Sequence, residues 1–218
     1  MSDLLGDAFV EAIEYLRGRL TLSQTDWLQI LTAADQRAEE IVDDTADKMR
    51  GDLLSALTGI FEAGGTLRDF QDQYEAIARR TGWKGTSPEM AGWHSELIWR
   101  MEVFGARAAG RWEQAMKLHR EAPQMGYCFR YVTAGDDRVR HNHAQWHGVI
   151  LPVDHPFWLT HFPPNGFNCR CLPQIVSRVT LARYKWTITP DDDKRLRIPP
   201  DAGFDNNVGM AWAKLQAT

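Results

Sequence analysis

The chain has 218 residues, 44% hydrophobic and 25% charged, which supports one large globular domain or two small ones and excludes disorder as the dominant state. No apolar run approaches the ~20 residues that span a bilayer. The start, Met1 to Gly6 with Asp3 and Asp7, lacks the basic beginning and apolar stretch of a secretion signal, so a soluble protein made in a cytoplasm is expected.

The net charge of −4 would disfavour a nucleic-acid partner if it were evenly spread. It is not: residues 1–100 carry 10 basic and 18 acidic side chains and residues 101–218 carry 15 and 11, so the halves stand at −8 and +4. This split suits an acidic half that docks a protein and a mildly basic half near phosphate; acidic helix surfaces that merely keep the protein soluble give the same numbers. Three cysteines, Cys128, Cys169 and Cys171, are too few and too odd in number for a secreted disulfide scaffold, which favours thiols or metal ligands.

The first 120 residues read as helices. Phe9, Ala12, Ile13 and Leu16 recur at helical spacing until Gly18 and Leu20-Thr21-Leu22 break the pattern. Ser23 or Thr25 can cap a second helix with Trp27, Leu28, Leu31, Ala34 and Ala38 on one face. Periodicity resumes through Ala46, Met49, Leu53, Leu57 and Phe61 and stops at Ala63-Gly64-Gly65, a glycine C-terminus. Thr66 caps a further helix with Leu67, Phe70, Tyr74 and Ile77 inward, ending near Thr81-Gly82. Pro88 opens the longest helix, to about His119, in which Gly105, Ala109 and Gly110 predict close approach of another backbone along a packing seam.

Beyond Pro123 helical periodicity fades, and six of the ten prolines fall between residues 150 and 190. Strands are expected over Tyr127–Val132, Gly148–Leu151 and Cys169–Ser177, with a short helix over Asp136–Trp146. The loop Pro152–Asn168, carrying Phe157, Trp158, Phe162 and Phe167, needs its own aromatic core or a metal to hold it. The expected class is α+β: a helical N-terminal half, then a small C-terminal domain of short strands with a long proline- and aromatic-rich loop. The expected division is 1–122 helical, 123–180 motif domain and 181–218 C-terminal extension.

Five of the seven histidines lie between positions 141 and 161, beside two of the three cysteines. That clustering invites a structural zinc site, with His143 and His147 on one helical face and Cys169-x-Cys171 completing a tetrahedron, although Cys-x-Cys is tighter than the usual knuckle spacing. The alternative is that the cysteines are small buried apolar residues and the histidines pair with carboxylates or carbonyls. A zinc protease is disfavoured, because His143-Ala144-Gln145-Trp146-His147 places Ala144 where the general-base glutamate belongs. A Cys169–His143 hydrolase lacks an orienting third group and an oxyanion hole.

Taken together, Asp136 or Asp137, Arg138-Val139-Arg140 and His143; Gly148; Asp154, Pro156, Phe157 and Trp158; and Pro163-Pro164-Asn165-Gly166 followed by Asn168-Cys169-Arg170-Cys171 resemble the phage minor head protein family typified by protein F of bacteriophage Mu, also called the head morphogenesis family. Ala106-Ala109-Gly110-Arg111-Trp112, Gly65-Thr66-Leu67 with Phe70 and Gly82-Trp83, Phe9 with Ala12-Ile13, and the ending Asp201-Ala202-Gly203-Phe204-Asp205 with Asn207 and Gly209 extend the likeness over nearly the whole chain. His147, where relatives often carry Asp or Asn, and Cys128 depart from the pattern. Metal candidates therefore reduce to His143, Cys169 and Cys171, with Asp154 or His161 as the fourth ligand. Gly148, Trp158, Pro163, Pro164 and Gly166 are expected to be structural motif residues.

The resemblance implies a non-enzymatic structural component of a tailed-phage virion, made in the host bacterial cytoplasm and held inside the head near the portal vertex. It would assist head morphogenesis and DNA packaging or ejection. The implied partners are the portal protein, a major capsid or scaffold protein, and packaged double-stranded DNA, with no membrane. Arg138, Arg140 and Arg170 are the candidate phosphate contacts, and bracing of the proline-rich loop is the alternative for each. The rival class is a metal-dependent nuclease or transferase effector carried in the head, against which stand only about 40 residues beyond Ser177. A plain scaffold without DNA contact is the third reading.

Overall fold

The computed structural model describes residues 10–21, 45–81 and 88–216. The helical half comprises α1 (Val10–Thr21), α2 (Thr45–Glu62), α3 (Leu67–Thr81) and α4 (Pro88–Glu121). After a 3-10 turn at Pro123–Met125 come β1 (Cys128–Val132), α5 (His141–Trp146), β2 (Ile150–Pro152), α6 (Trp158–His161), β3 (Leu172–Val176) and α7 (Arg178–Tyr184). A second 3-10 turn, Lys194–Arg197, precedes α8 (Val208–Gln216). The class is α+β, as expected. The helix expected between Ser23 and Ala38, and Phe9, lie outside the described residues. No described helix is long and apolar enough to cross a membrane.

Local chemistry sets the helix boundaries. At the end of α2 the Gly65 N–H donates to the Ile60 carbonyl (2.8 Å) and the Gly64 N–H to the Phe61 carbonyl (3.1 Å), with Gly64 at φ +69°, the paired bonds of a Schellman ending. Thr66 then caps α3 reciprocally: its N–H and hydroxyl both donate to Asp69 Oδ2 at 2.7 Å, and the Asp69 N–H returns to Thr66 Oγ1. The expected inward residues Met49, Leu53, Leu57, Phe70, Tyr74 and Ile77 form one core with Ala12 and Leu16 of α1 and Ala106 and Ala109 of α4.

Two glycine expectations need correction. Gly18 does not break α1, which runs on to Thr21; a Cβ at Gly18 would overlap the Trp212 ring of α8, so the residue makes room instead of ending the helix. Gly105 does not enforce close approach, since a Cβ there would sit an ordinary 3.9 Å from the Tyr15 hydroxyl. The tight crossing on α4 lies at Trp112, whose Cβ would collide with a Cβ on Gly209 of α8.

The sheet is antiparallel in the order β2-β1-β3, with Phe129 opposite Leu151 on one side and Ile175 on the other. Strand alternation sends Phe129 and Tyr131 into an aromatic core and Cys128 to the opposite face, with Ile150, Val176 and Leu181. Trp112 stacks on Phe129 (5.9 Å, 19°) and meets Phe162 edge-on (5.3 Å), so α4 belongs to both cores. The long loop is held by its aromatics: Phe157, Trp158 and Phe162 are buried, Phe167 packs on Phe204 (5.2 Å), and residues 158–161 coil into α6. Three boundaries differ from expectation. Helix α5 starts at His141 because Asp136–Arg138 form a turn, with the Arg138 N–H on Asp136 Oδ1. Regular β2 starts after Gly148, which sits at φ +80°, and β3 after the turn in which the Cys169 N–H donates to the Gly166 carbonyl.

The α4–α8 crossing predicts that Gly209→Ala destabilises the fold by about 1–3 kcal/mol through overpacking. Gly59→Ala, where a Cβ meets no atom within 4 Å on the exposed face of α2, should stabilise by about 0.5–1 kcal/mol. Urea unfolding midpoints at constant slope check both signs.

Candidate functional site

The motif residues meet where α5, the proline-rich loop, the approach to β3 and the Asp201 segment converge. Helix α5 is a six-residue segment braced from its first turn. The Asn142 side chain accepts the His143 N–H (3.0 Å) and donates to Asp201 Oδ1 (3.0 Å). His143 is 1% exposed and stacks on Trp146 (5.3 Å, 24°), whose indole N–H donates to the Arg195 carbonyl.

The imidazole orientation follows from what surrounds it. His143 Nε2 lies 3.2 Å from the Asn165 carbonyl oxygen and 3.8 Å from Asp201 Oδ1, both acceptors, so Nε2 carries the proton and donates to the carbonyl. Nδ1 is left as a bare lone pair and faces Cys169 Sγ at 3.6 Å and Cys171 Sγ at 3.7 Å. The three ligand atoms lie within 4.8 Å of one another. The neighbouring Cys171 pushes the Cys169 thiol well below the usual thiol range, helped by His143 and opposed by burial, while Cys171 itself is pushed up by Cys169 and by burial. Burial likewise raises the Tyr131 phenol.

Asn165, fully buried, ties the surroundings together. Its Oδ1 accepts the Tyr131 hydroxyl at 3.0 Å, and its side-chain N–H group faces the carbonyls of Thr160, Phe162 and Phe204 at 3.4–3.5 Å.

Neither expected fourth ligand joins the trio. His161 is separated from it by Trp146, whose ring meets His143 face-on and His161 edge-on. Both His161 nitrogens are engaged, Nε2 donating to the Ile198 carbonyl (2.8 Å) and Nδ1 at 2.7 Å from the Thr160 hydroxyl, and burial lowers its basicity. Asp154 is exposed and its charge acts on Cys128, whose thiol is raised by burial first and by Asp154 second. His147 is also elsewhere: α5 ends at Trp146, and His147 Nδ1 accepts the Thr133 N–H, so the expected shared face with His143 does not form. The carboxylate beside the trio is Asp201, missed from the sequence because it lies far along the chain; its one signal was its place in the family-like ending.

The three arginines are all paired with carboxylates. Arg170 makes a two-pronged contact with Asp136, both bonds 2.6 Å. Arg140 reaches Asp201 Oδ2 (2.9 Å) and the Phe167 carbonyl (2.7 Å), while the largely exposed Arg138 lies 3.5 Å from Asp136. A Cβ on Gly166 would overlap the Asp201 carboxylate, which explains that glycine. Trp158 is fully buried and donates to the Pro152 carbonyl (2.9 Å), and Pro163–Pro164 is a buried cis pair. Two surface grooves lie in the helical half, one between α2 and α3 and one between the α2–α3 turn and α4; neither is lined by the trio.

The Arg170 contact holds Asp136 at a pKa of about 2, below its ordinary 3.8. The folded value is depressed, so the tie stabilises above the unfolded value and is lost as pH falls from about 4 towards about 2. The difference in urea midpoint between wild type and Asp136→Asn should therefore be present at neutral pH and vanish across that window; a constant difference would refute the assignment.

The sequence profile of the family described as Phage Mu protein F like protein matches residues 52–173. A protein of Escherichia phage Mu, provisionally named capsid assembly protein F, is 24% identical over 241 aligned residues, covering 92% of this chain and 54% of its own length. The Mu-like prophage FluMu F protein of Haemophilus influenzae is 26% identical over 192 residues, covering 84% of this chain and 45% of its own. The chain thus spans about half the length of these curated relatives. No solved structure matches. The matched stretch runs from within α2 to the start of β3 and takes in His143, Cys169 and Cys171 near its end, and the chain belongs to the Phage Mu protein F like family.

Proposed function

We propose that the chain is a structural component of a tailed-phage head, acting in head morphogenesis at the portal vertex and assisting DNA packaging or ejection. The observation that carries this is the match of both curated relatives along most of the chain, one of them named for capsid assembly. The helical half, whose first 100 residues carry −8, supplies the protein-docking part, with the portal as first partner and the major capsid or scaffold protein as second. Synthesis takes place in the host cytoplasm and the mature location is inside the head.

Burial of His143 and Cys169, at 1% and 2% exposure, supports a brace over an effector enzyme, because a nucleophile or base under Trp146 cannot reach a phosphodiester. Pairing of Arg140 and Arg170 with carboxylates supports the bracing role for them too. Contact of the second half with DNA is then weak and carried by its overall +4 charge, not by these side chains.

Co-expression with the cognate portal protein tests this. The chain should comigrate with portal rings on a gradient, and Arg170→Ala should lower its unfolding midpoint while leaving any DNA affinity unchanged. Binding to duplex DNA, if measured at about 50 mM salt, should fall steeply by about 200 mM. Phosphodiester cleavage lost in His143→Ala, together with no portal association, would replace this reading with the nuclease one.

A further inference from the structure

We propose that His143 Nδ1, Cys169 Sγ and Cys171 Sγ bind one zinc ion, with Asn165 and Asp201 fixing the imidazole from behind. This goes beyond the head-assembly reading and rests on the side-chain cluster alone.

Three observations converge on it. First, Nε2 faces only acceptors, so the free lone pair of Nδ1 points at two sulfurs, whereas a simple S–H···N bond needs one. Second, the spacing suits a metal. Zinc bonds of about 2.3 Å to sulfur and about 2.0–2.1 Å to nitrogen at the tetrahedral angle place nitrogen and sulfur about 3.5–3.6 Å apart. The observed nitrogen–sulfur separations are 3.6 and 3.7 Å, and the three ligand atoms all lie within 4.8 Å of one another. Third, the imidazole has the carboxylate and carbonyl backing that metal-binding histidines commonly carry. Asp201 is itself immobilised by Arg140 (2.9 Å) and Asn142 (3.0 Å).

The tight Cys-x-Cys spacing works because the two residues flanking Arg170 turn the same way. Cys169 and Cys171 turn to His143, while Arg170 between them turns away to Asp136. Asn168, at φ +54°, sets the direction in which the chain enters this stretch. Both cysteines bind as thiolates and release their protons to solvent. The ion would tie α5 to the approach to β3.

The full-length chain, stripped with chelator, is titrated with zinc alone and with cobalt(II) alone. One equivalent should bind, and cobalt should give thiolate charge-transfer absorption with the intense visible bands of a tetrahedral site. Cys169→Ser and Cys171→Ser should each abolish the charge-transfer band, and Asp201→Asn should weaken binding about 10–100-fold with the spectrum retained. Cys128→Ser should change nothing. Should Cys169→Ser fail to fold by circular dichroism, protection of the wild-type Cys169 and Cys171 thiols from alkylation by added zinc decides. Octahedral cobalt, unchanged binding in Cys171→Ser, or thiols labelled equally with and without zinc would each overturn the proposal. None of these outcomes touches the portal test.

Discussion

A buried amide must find partners for its oxygen and both of its hydrogens, and Asn165 meets that demand by drawing three separate stretches of chain onto itself. Its oxygen takes the Tyr131 hydroxyl from β1, its nitrogen faces carbonyls of the loop and of Phe204, and its own carbonyl receives the His143 ring and the Asp201 N–H. Leaving one such group unpaired costs about 1–3 kcal/mol, so the arrangement is adopted together or not at all. The proline-rich loop owes its course to this residue and to Trp158 and Phe162, which pack on Phe129 of β1.

The Asp201 carboxylate extends the same logic outward. It joins Arg140, Asn142 and the back of His143, and it fills the space that Gly166 leaves open. Arg170 and Asp136 repeat the device one turn away. The charged residues of the motif are therefore spent mostly on one another. A surface seen in sequence as a basic stretch presents far less free positive charge than its arginine count suggests.

Local signals were readable from the sequence. The Gly64-Gly65 ending, the Thr66 cap and the inward faces of α2 and α3 depend on neighbours within about one or two turns, and they appear where the spacing put them. The meeting of His143 with Cys169 and Cys171 was also legible, because the clustering of histidines and cysteines and the family-like motif both singled them out. What failed depended on distant contacts. Gly18 carries the same local signal whether it ends a helix or makes room for Trp212. Asp154 and His161 lie close to the trio in sequence, but the sheet puts one beside Cys128 and Trp146 screens the other. Asp201, far along the chain, is the carboxylate that comes nearest the trio, on the Nε2 side of His143 and away from the sulfurs.

Helix α8 lies across α1 and α4, with Trp212 edge-on to Tyr15 at 5.4 Å and seated over Gly18. The partners of this contact are almost the full chain apart. During translation, therefore, the apolar face of α1 leaves the ribosome long before its cover exists, at elongation rates of about 5–20 residues per second. The helical half can collapse early, yet it reaches its final packing only after α8 emerges, which makes the nascent chain a natural client for a chaperone during those seconds.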